Sequence, residues 1–243
     1  MAIIAKESDG AVLIIESERV SYKVAQKVKE QMENVEVMTK ASMEFFKGIV
    51  NDHSVVVVRS GIGKVNAAMC TQILADVYHV DAIINTGIAG SLNADINIGD
   101  IVLSTDTLEH DMDAVAFGYP LGQIPRMDTL SFEADAKLRS VAKQACEKVN
   151  PEVTVFEGRV VSGDQFISDK EKKQWLVDNF AGYCTEMEGA AIAHAAYLNQ
   201  IPFLIIRAIS DKADDSASVD YPTFEAKAIE HSVKLILELC RML

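Results

Sequence analysis

Short runs of consecutive apolar residues, each closed by a glycine-bearing or polar turn, recur along the chain. Val55-Val56-Val57-Val58 leads into Arg59-Ser60-Gly61-Ile62-Gly63-Lys64, and Ala82-Ile83-Ile84 into Asn85-Thr86-Gly87-Ile88-Ala89-Gly90. Val160-Val161 leads into Ser162-Gly163-Asp164-Gln165-Phe166-Ile167, and residues 203–206 into Arg207-Ala208-Ile209-Ser210-Asp211. Unbroken apolar runs of this length suit strands covered on both faces. Residues 11–15 form another. Between these runs the apolar period becomes helical. Within 131–149, Leu138, Val141, Ala142, Ala145, Cys146 and Val149 share one stripe, with Ser131 as the expected N-cap. Residues 188–199 read as a helix of small residues, and 223–242 as an amphipathic helix with Val233, Ile236, Leu237 and Cys240 on one face. Alternating strands and helices predict a three-layer α/β sandwich around a mixed central sheet, as a single domain over residues 1–243.

Residues 106–130 break this regularity. They are rich in glycine, proline and acidic residues, with Phe117, Tyr119 and Leu121 among them, and read as a subunit contact with a ligand contact possible from the same residues. Composition narrows the function. A chain of 243 residues that is 49% hydrophobic is expected to bury a sizeable core. A net charge of −13 argues against nucleic acid as a partner and against an anionic membrane surface. The first residues lack the apolar core of a signal peptide, and 11–15 is too short to span a bilayer, so a cytoplasmic protein is expected. Cys70, Cys146, Cys184 and Cys240 are widely spaced, and the five histidines have no ligand spacing, so no metal is expected.

The glycine-rich turns fail the tests for phosphate and dinucleotide motifs. In Gly61-Ile62-Gly63-Lys64 a P-loop would need glycine where Val58 stands and Ser or Thr where Val65 stands, and Asn66 occupies the last glycine of a GxGxxG fingerprint. What remains is a tight strand-to-helix turn. The Asn85–Gly90 segment offers no cation, and its backbone suits the edge of a planar purine. Glu186-Met187-Glu188, before the small-residue helix, reads in two ways: carboxylates favoured at a helix N-terminus, or a carboxylate that accepts hydrogen bonds from vicinal sugar hydroxyls. Asp211, at the end of an apolar strand, is either a cap for the next turn or an acid tuned by partial burial.

Taken in order, Ser60–Ala68, Asn85–Gly90, Gly163-Asp164-Gln165-Phe166-Ile167, Glu186-Met187-Glu188-Gly189-Ala190 and Arg207-Ala208-Ile209-Ser210-Asp211 resemble the bacterial 5′-methylthioadenosine/S-adenosylhomocysteine nucleosidases of the nucleoside phosphorylase superfamily. The resemblance covers roughly residues 55–243 and implies a nucleoside phosphorylase-like fold and hydrolysis of the N-glycosidic bond without a cofactor. By that resemblance Asp211 is the acid at adenine N7, supported by Ser210. Phe166 and the Ile167 backbone hold the base, with Ile88 and Gly90 beside it. Met187 and Glu188 hold the ribose, and Glu188 with Arg207 places the water. Tyr221 stands near the 5′-substituent. Phe117 and Pro125 belong to a loop that reaches the partner subunit's site, which implies a homodimer. Acid assistance at the leaving group is worth roughly 10²–10⁴ in rate, and a nearby carboxylate favours the oxocarbenium-like sugar.

The first turn departs from the family, which carries a catalytic glutamate there. Counting from the strand without gaps puts Ser21 at that position, while a shorter turn brings Glu18 or Glu16 to it. Arg126, after Pro125, stands where a small residue is expected; it is read as a surface residue, with a carboxylate-bearing 5′-group as the alternative partner. Only Arg19, Arg59 and Arg207 offer cations for a phosphate, which favours hydrolysis. The competing readings are a phosphorylase, a hydrolase of another 5′-modified nucleoside such as futalosine, and a non-catalytic nucleoside-binding homologue.

Overall fold

A computed structural model describes residues 12–15, 19–213 and 217–243, with side chains described over 23–213, at Phe224 and from Lys227 onward. Glu16 and Glu18 lie outside the described residues, as does the segment before the first strand. The side chains of Arg19, Ser21 and Tyr221 lie outside them too.

The apolar runs are strands, as their composition requires. The chain folds as β1 (Val12–Ile15), α1 (Arg19–Lys29), β2 (Glu33–Lys40), β3 (Met43–Val50), β4 (His53–Val58), α2 (Lys64–Tyr78), β5 (Ile83–Ser91), β6 (Ile101–Glu109), β7 (Phe132–Glu133), α3 (Ala136–Val149), β8 (Val155–Ser162), α4 (Lys170–Phe180), β9 (Cys184–Glu186), α5 (Gly189–Leu198), β10 (Phe203–Asp211) and α6 (Ala217–Met242). The strands form one mixed sheet in the order β10-β6-β8-β9-β5-β1-β4-β3-β2, with β7 on β6. β10 also pairs with β5, in parallel from Phe203↔Ile83 to Ile209↔Ala89. That second pairing closes β5, β10, β6, β8 and β9 into a ring at one end of the sheet. The helices flank the sheet in two groups. α6 packs against α1 and α3, and α2 packs against α5. All nine residues of β10 are buried, which explains its unbroken apolar lettering.

Three local readings are corrected. Ser131 does not cap α3: residues 132–133 pair with β6 instead, and Asp135 is the cap, its Oδ1 accepting from Leu138 N–H at 2.8 Å. The Asn85–Gly90 segment is not a turn, because β5 continues through it to Ser91. Residues 106–109 belong to β6, so the irregular loop begins at His110 and contains one helical turn at Val115–Phe117.

Candidate active site

The ends of β5, β8, β9 and β10 converge on a cleft with a cavity volume of about 70 Å³. It is lined by Ile88, Ala89 and Gly90 of β5, Gln165, Phe166 and Ile167 after β8, residues 185–188 at the β9–α5 junction, and Ser210 and Asp211 of β10. Open α/β sheets place ligands beyond such strand ends. The β10–β5 register slips here, from Ile209↔Ala89 to Asp211↔Gly90, so Ser210 is the extra residue of a bulge. A bulge re-aims the side chains around it. Ser210 Oγ donates to Asp211 Oδ2 at 2.8 Å, and Asp211 Oδ1 accepts from Ala213 N–H at 2.7 Å. Both side chains are buried. Gly90 leaves the space they need. A Cβ there would stand 2.8 Å from Asp211 Oδ1 and 2.7 Å from Ala213 Cβ.

Two carboxylates two residues apart have separate fates. Glu186 Oε2 accepts from Glu188 N–H at 3.1 Å and Gly189 N–H at 2.8 Å, satisfying the first amides of α5. The same oxygen pairs with Arg207, whose Nη2 lies 2.5 Å and Nε 3.2 Å away, while Oε1 accepts from the Ser162 hydroxyl. Burial alone would raise the Glu186 carboxyl, but the guanidinium, the hydroxyl and the Gly189 amide hold it below the ordinary carboxylate range. Glu188 makes no cap bond to its own helix. Its Oε1 reaches across to accept from Gly63 N–H at 2.8 Å. Gly63 has φ +88°, a backbone that glycine adopts without strain.

Arg207 therefore does not face the cleft, contrary to the role expected for it at the water. Its guanidinium is committed to Glu186, to Asn85 Oδ1 and to Ile206 O at 2.8 Å, and it is 2% exposed. Phe166 is 65% exposed and lines the cleft, while Ile167 beside it is buried. Phe117, 83% exposed, and Pro125, also exposed, are not part of this chain's cleft. Arg126 is exposed, its N–H donating to Tyr119 Oη at 3.2 Å. Tyr221 lies in α6. Sequence reasoning assigned no part to the side chains of Asn85 and Ser162, and for Gly63 it gave a tight turn with amides facing a ligand or a neighbouring loop, not the bond to Glu188. The pairing of Glu186 with Glu188 in one short motif was the available signal that two carboxylates share this junction.

The family model described as Phosphorylase superfamily matches residues 11–241. A 5′-methylthioadenosine/S-adenosylhomocysteine nucleosidase of Bacillus cereus (strain B4264) is 39% identical over 213 residues, covering 87% of this chain and 91% of that protein. The chain belongs to this nucleosidase family. Among solved structures, the nucleosidase from Neisseria meningitidis, in complex with methylthio-immucillin-A, superposes with a TM-score of 0.89 at 34% identity, covering 95% of this chain and 98% of that one. A futalosine hydrolase of Helicobacter pylori has a TM-score of 0.88 at 29% identity, covering 95% and 97%. The nucleosidase family thus shares this mixed α/β architecture with a futalosine hydrolase. Among the described residues no helix is long and apolar enough to cross a membrane, and no cluster of His, Cys, Asp and Glu is arranged to hold a metal ion.

Proposed function

We propose that this protein hydrolyses the N-glycosidic bond of 5′-methylthioadenosine and S-adenosylhomocysteine, releasing adenine and the 5-thioribose product. The observation that carries the reading is the meeting, in one cleft, of a buried Asp211, the Phe166–Ile167 base loop and Met187–Glu188, in a chain 39% identical to a nucleosidase of that name. The purine lies against Phe166 with its edge at the Ile167 backbone, Ile88 and Gly90. Asp211 delivers a proton to N7 as the N9–C1′ bond breaks and its electron pair leaves with adenine. Ser210 fits this exchange. Its hydroxyl donates to the Asp211 carboxylate at 2.8 Å and has a second acceptor, Ala89 O, at 3.4 Å. The hydroxyl can turn to that carbonyl when Asp211 holds its proton. Glu188, buried and anchored by Gly63, accepts from the ribose hydroxyls and favours the cationic sugar. Water then adds to C1′ and gives up its proton. The group that receives it is assigned to the first turn, with Glu16, Glu18 and Ser21 as candidates.

Arg207 acts through Glu186 rather than on the water. Arg59 lies in a second cleft, with Lys29 and Glu44, away from Asp211. Neither arginine lines the cleft of Asp211, which supports hydrolysis over phosphorolysis; the side chain of Arg19, the third candidate cation, lies outside the described residues. A homodimer is proposed through the loop 106–130. Phe117, Val115, Ile62 and Val65 each expose more than half of their surface, an extent of apolar exposure that a partner would cover. No nucleic acid or membrane partner is proposed, and a cytoplasmic setting is.

The test is incubation with 5′-methylthioadenosine with and without phosphate, with free adenine followed by chromatography. Phosphate-independent release is expected, and Asp211→Asn is expected to lose about 10²-fold or more in turnover while keeping ligand binding. Release only with phosphate, or cleavage of futalosine in preference to both thio-nucleosides, would overturn the reading. So would near-normal turnover by the Asp211→Asn protein.

A further inference from the structure

Lys64 fits no P-loop, and the proposed chemistry gives it no task, yet its ammonium makes charge-assisted hydrogen bonds to two carboxylates. Its Nζ donates to Glu109 Oε2 at 2.8 Å, at the end of β6, and to Asp111 Oδ1 at 2.7 Å, in the loop that follows. Its backbone N–H donates to Asp164 Oδ1 at 2.8 Å. Asp164 N–H in turn donates to Asp111 Oδ2 at 2.9 Å. Lys64, Asp111 and Asp164 thus close a ring of three hydrogen bonds. His194 Nδ1, from α5, lies 3.6 Å from the remaining oxygen of Glu109. The side chains of Lys64, Glu109 and Asp111 are 19%, 8% and 18% exposed, so solvent screens these pairs only in part. Burial lowers the Lys64 amine, but the two carboxylates outweigh it and hold the group charged; against their own burial, Glu109 is held below its usual range by His194 and Lys64, and Asp111 by Lys64 and the Asp164 amide.

The position of the ring gives it meaning. Gly63, directly before Lys64, supplies the N–H that fixes Glu188. Asp164 stands two residues before Phe166, at the start of the base loop. A Cβ on Gly63 would approach Asp164 Oδ1 to 2.9 Å, so the two turns are already in contact. We propose that Lys64 is a positioning residue that locks the glycine turn and the base loop into one body, so that the carboxylate holding the ribose and the ring stacking on the base keep a fixed spacing. The proposal deepens the nucleosidase reading and rests on it. A lysine that only stabilised the fold would need no link to Glu188, and that link is what can be measured.

The experiment is a double-mutant cycle in affinity for a 7-deaza analogue of 5′-methylthioadenosine, which binds without being cleaved, read by calorimetry alongside thermal unfolding. Lys64→Met is expected to weaken binding by about tenfold or more, with Lys64→Arg in between, because charge-assisted bonds to both carboxylates are lost. In a Glu188→Gln background the same change is expected to cost less than about threefold, since residues acting through one contact are non-additive. Asp111→Asn keeps the side-chain shape and gives a milder loss of the same kind should Lys64→Met fold poorly. Fully additive losses, or unchanged affinity in a folded Lys64→Met protein, would overturn the proposal. Failure of the underlying function shows separately, as a wild-type protein that neither binds the analogue nor releases adenine.

Discussion

Replacing Arg207 by methionine separates a structural role for this residue from a direct catalytic one. The guanidinium is 2% exposed and donates to Glu186, Asn85 and Ile206 O. Methionine of similar length fills the space but leaves the Glu186 carboxylate buried, with only the Ser162 hydroxyl and the amides of Glu188 and Gly189 around it. Removing one partner of a buried ion pair costs about 3–5 kcal/mol. In a domain of this size about 1 kcal/mol moves the melting temperature by roughly 2–4 °C, so Arg207→Met is expected to melt about 6–20 °C below wild type. The assay is thermal unfolding followed by circular dichroism, with adenine release measured well below the transition. Glu186→Gln in the same chain removes the stranded charge and is expected to recover much of the loss, because partners in one network are not additive. A Arg207→Met protein that melts within about 2 °C of wild type yet turns nothing over would refute this reasoning and return Arg207 to the water. A double variant as unstable as the sum of the two single changes would refute it as well.

Gly90→Ala is expected to lose about 10²-fold in turnover, because the new methyl would displace the Asp211 carboxylate by a distance on the order of 1 Å; unchanged turnover would show that the carboxylate does not need that space. Asp135→Ala removes the α3 cap and is expected to cost about 1 kcal/mol, or roughly 2–4 °C of melting temperature, without altering turnover. Stability is expected to fall on acidification in two stages. Burial lowers His110, whose two ring nitrogens have no hydrogen-bond partner among the described residues, so its proton uptake on unfolding erodes stability as pH drops below 6.5, and His110→Leu should flatten that limb. Glu186 and Glu109 are depressed in the folded state, so what they contribute is complete above 4.5 and lost as pH falls through their lower folded values; melting temperatures that rise between pH 6 and 3 would contradict both assignments.

The legible parts of the fold were those in which one residue type serves one purpose. The apolar lettering of residues 203–206 and 55–58 needs nothing beyond burial on two faces to become strand. The hairpin of β2 and β3 was not legible for the opposite reason. β2 is an edge strand exposed along nearly all of its length, so Glu33-Asn34-Val35-Glu36 carries no one-sided pattern. The glycines of β5 misled in a different way. Gly87 and Gly90 suggested a turn, yet both sit inside a strand because a neighbour approaches closely: a Cβ at Gly87 would lie 3.3 Å from Arg207 Nη1. From sequence alone, a glycine that makes room for another side chain cannot be told from one that bends the chain.

The same distinction runs through the site. Asp211, Phe166 and Glu188 line the cleft because each stands at the end of a strand or beside a turn, where side chains leave the core. Glu186 and Arg207 are just as polar and stand in the same motifs, but their side chains turn inward, and only the partner twenty-one residues away in sequence decides that. Without Arg207, Glu186 would be a buried charge at large cost. Paired with it, the carboxylate is free to receive the first amides of α5, which sets the orientation of the backbone that carries Met187 and Glu188. The inward carboxylate thereby aims the outward one. Glu188 owes its direction to the Arg207–Glu186 pair from behind and to Gly63 from the front, and neither contact is expressed in the letters of Glu186-Met187-Glu188 themselves.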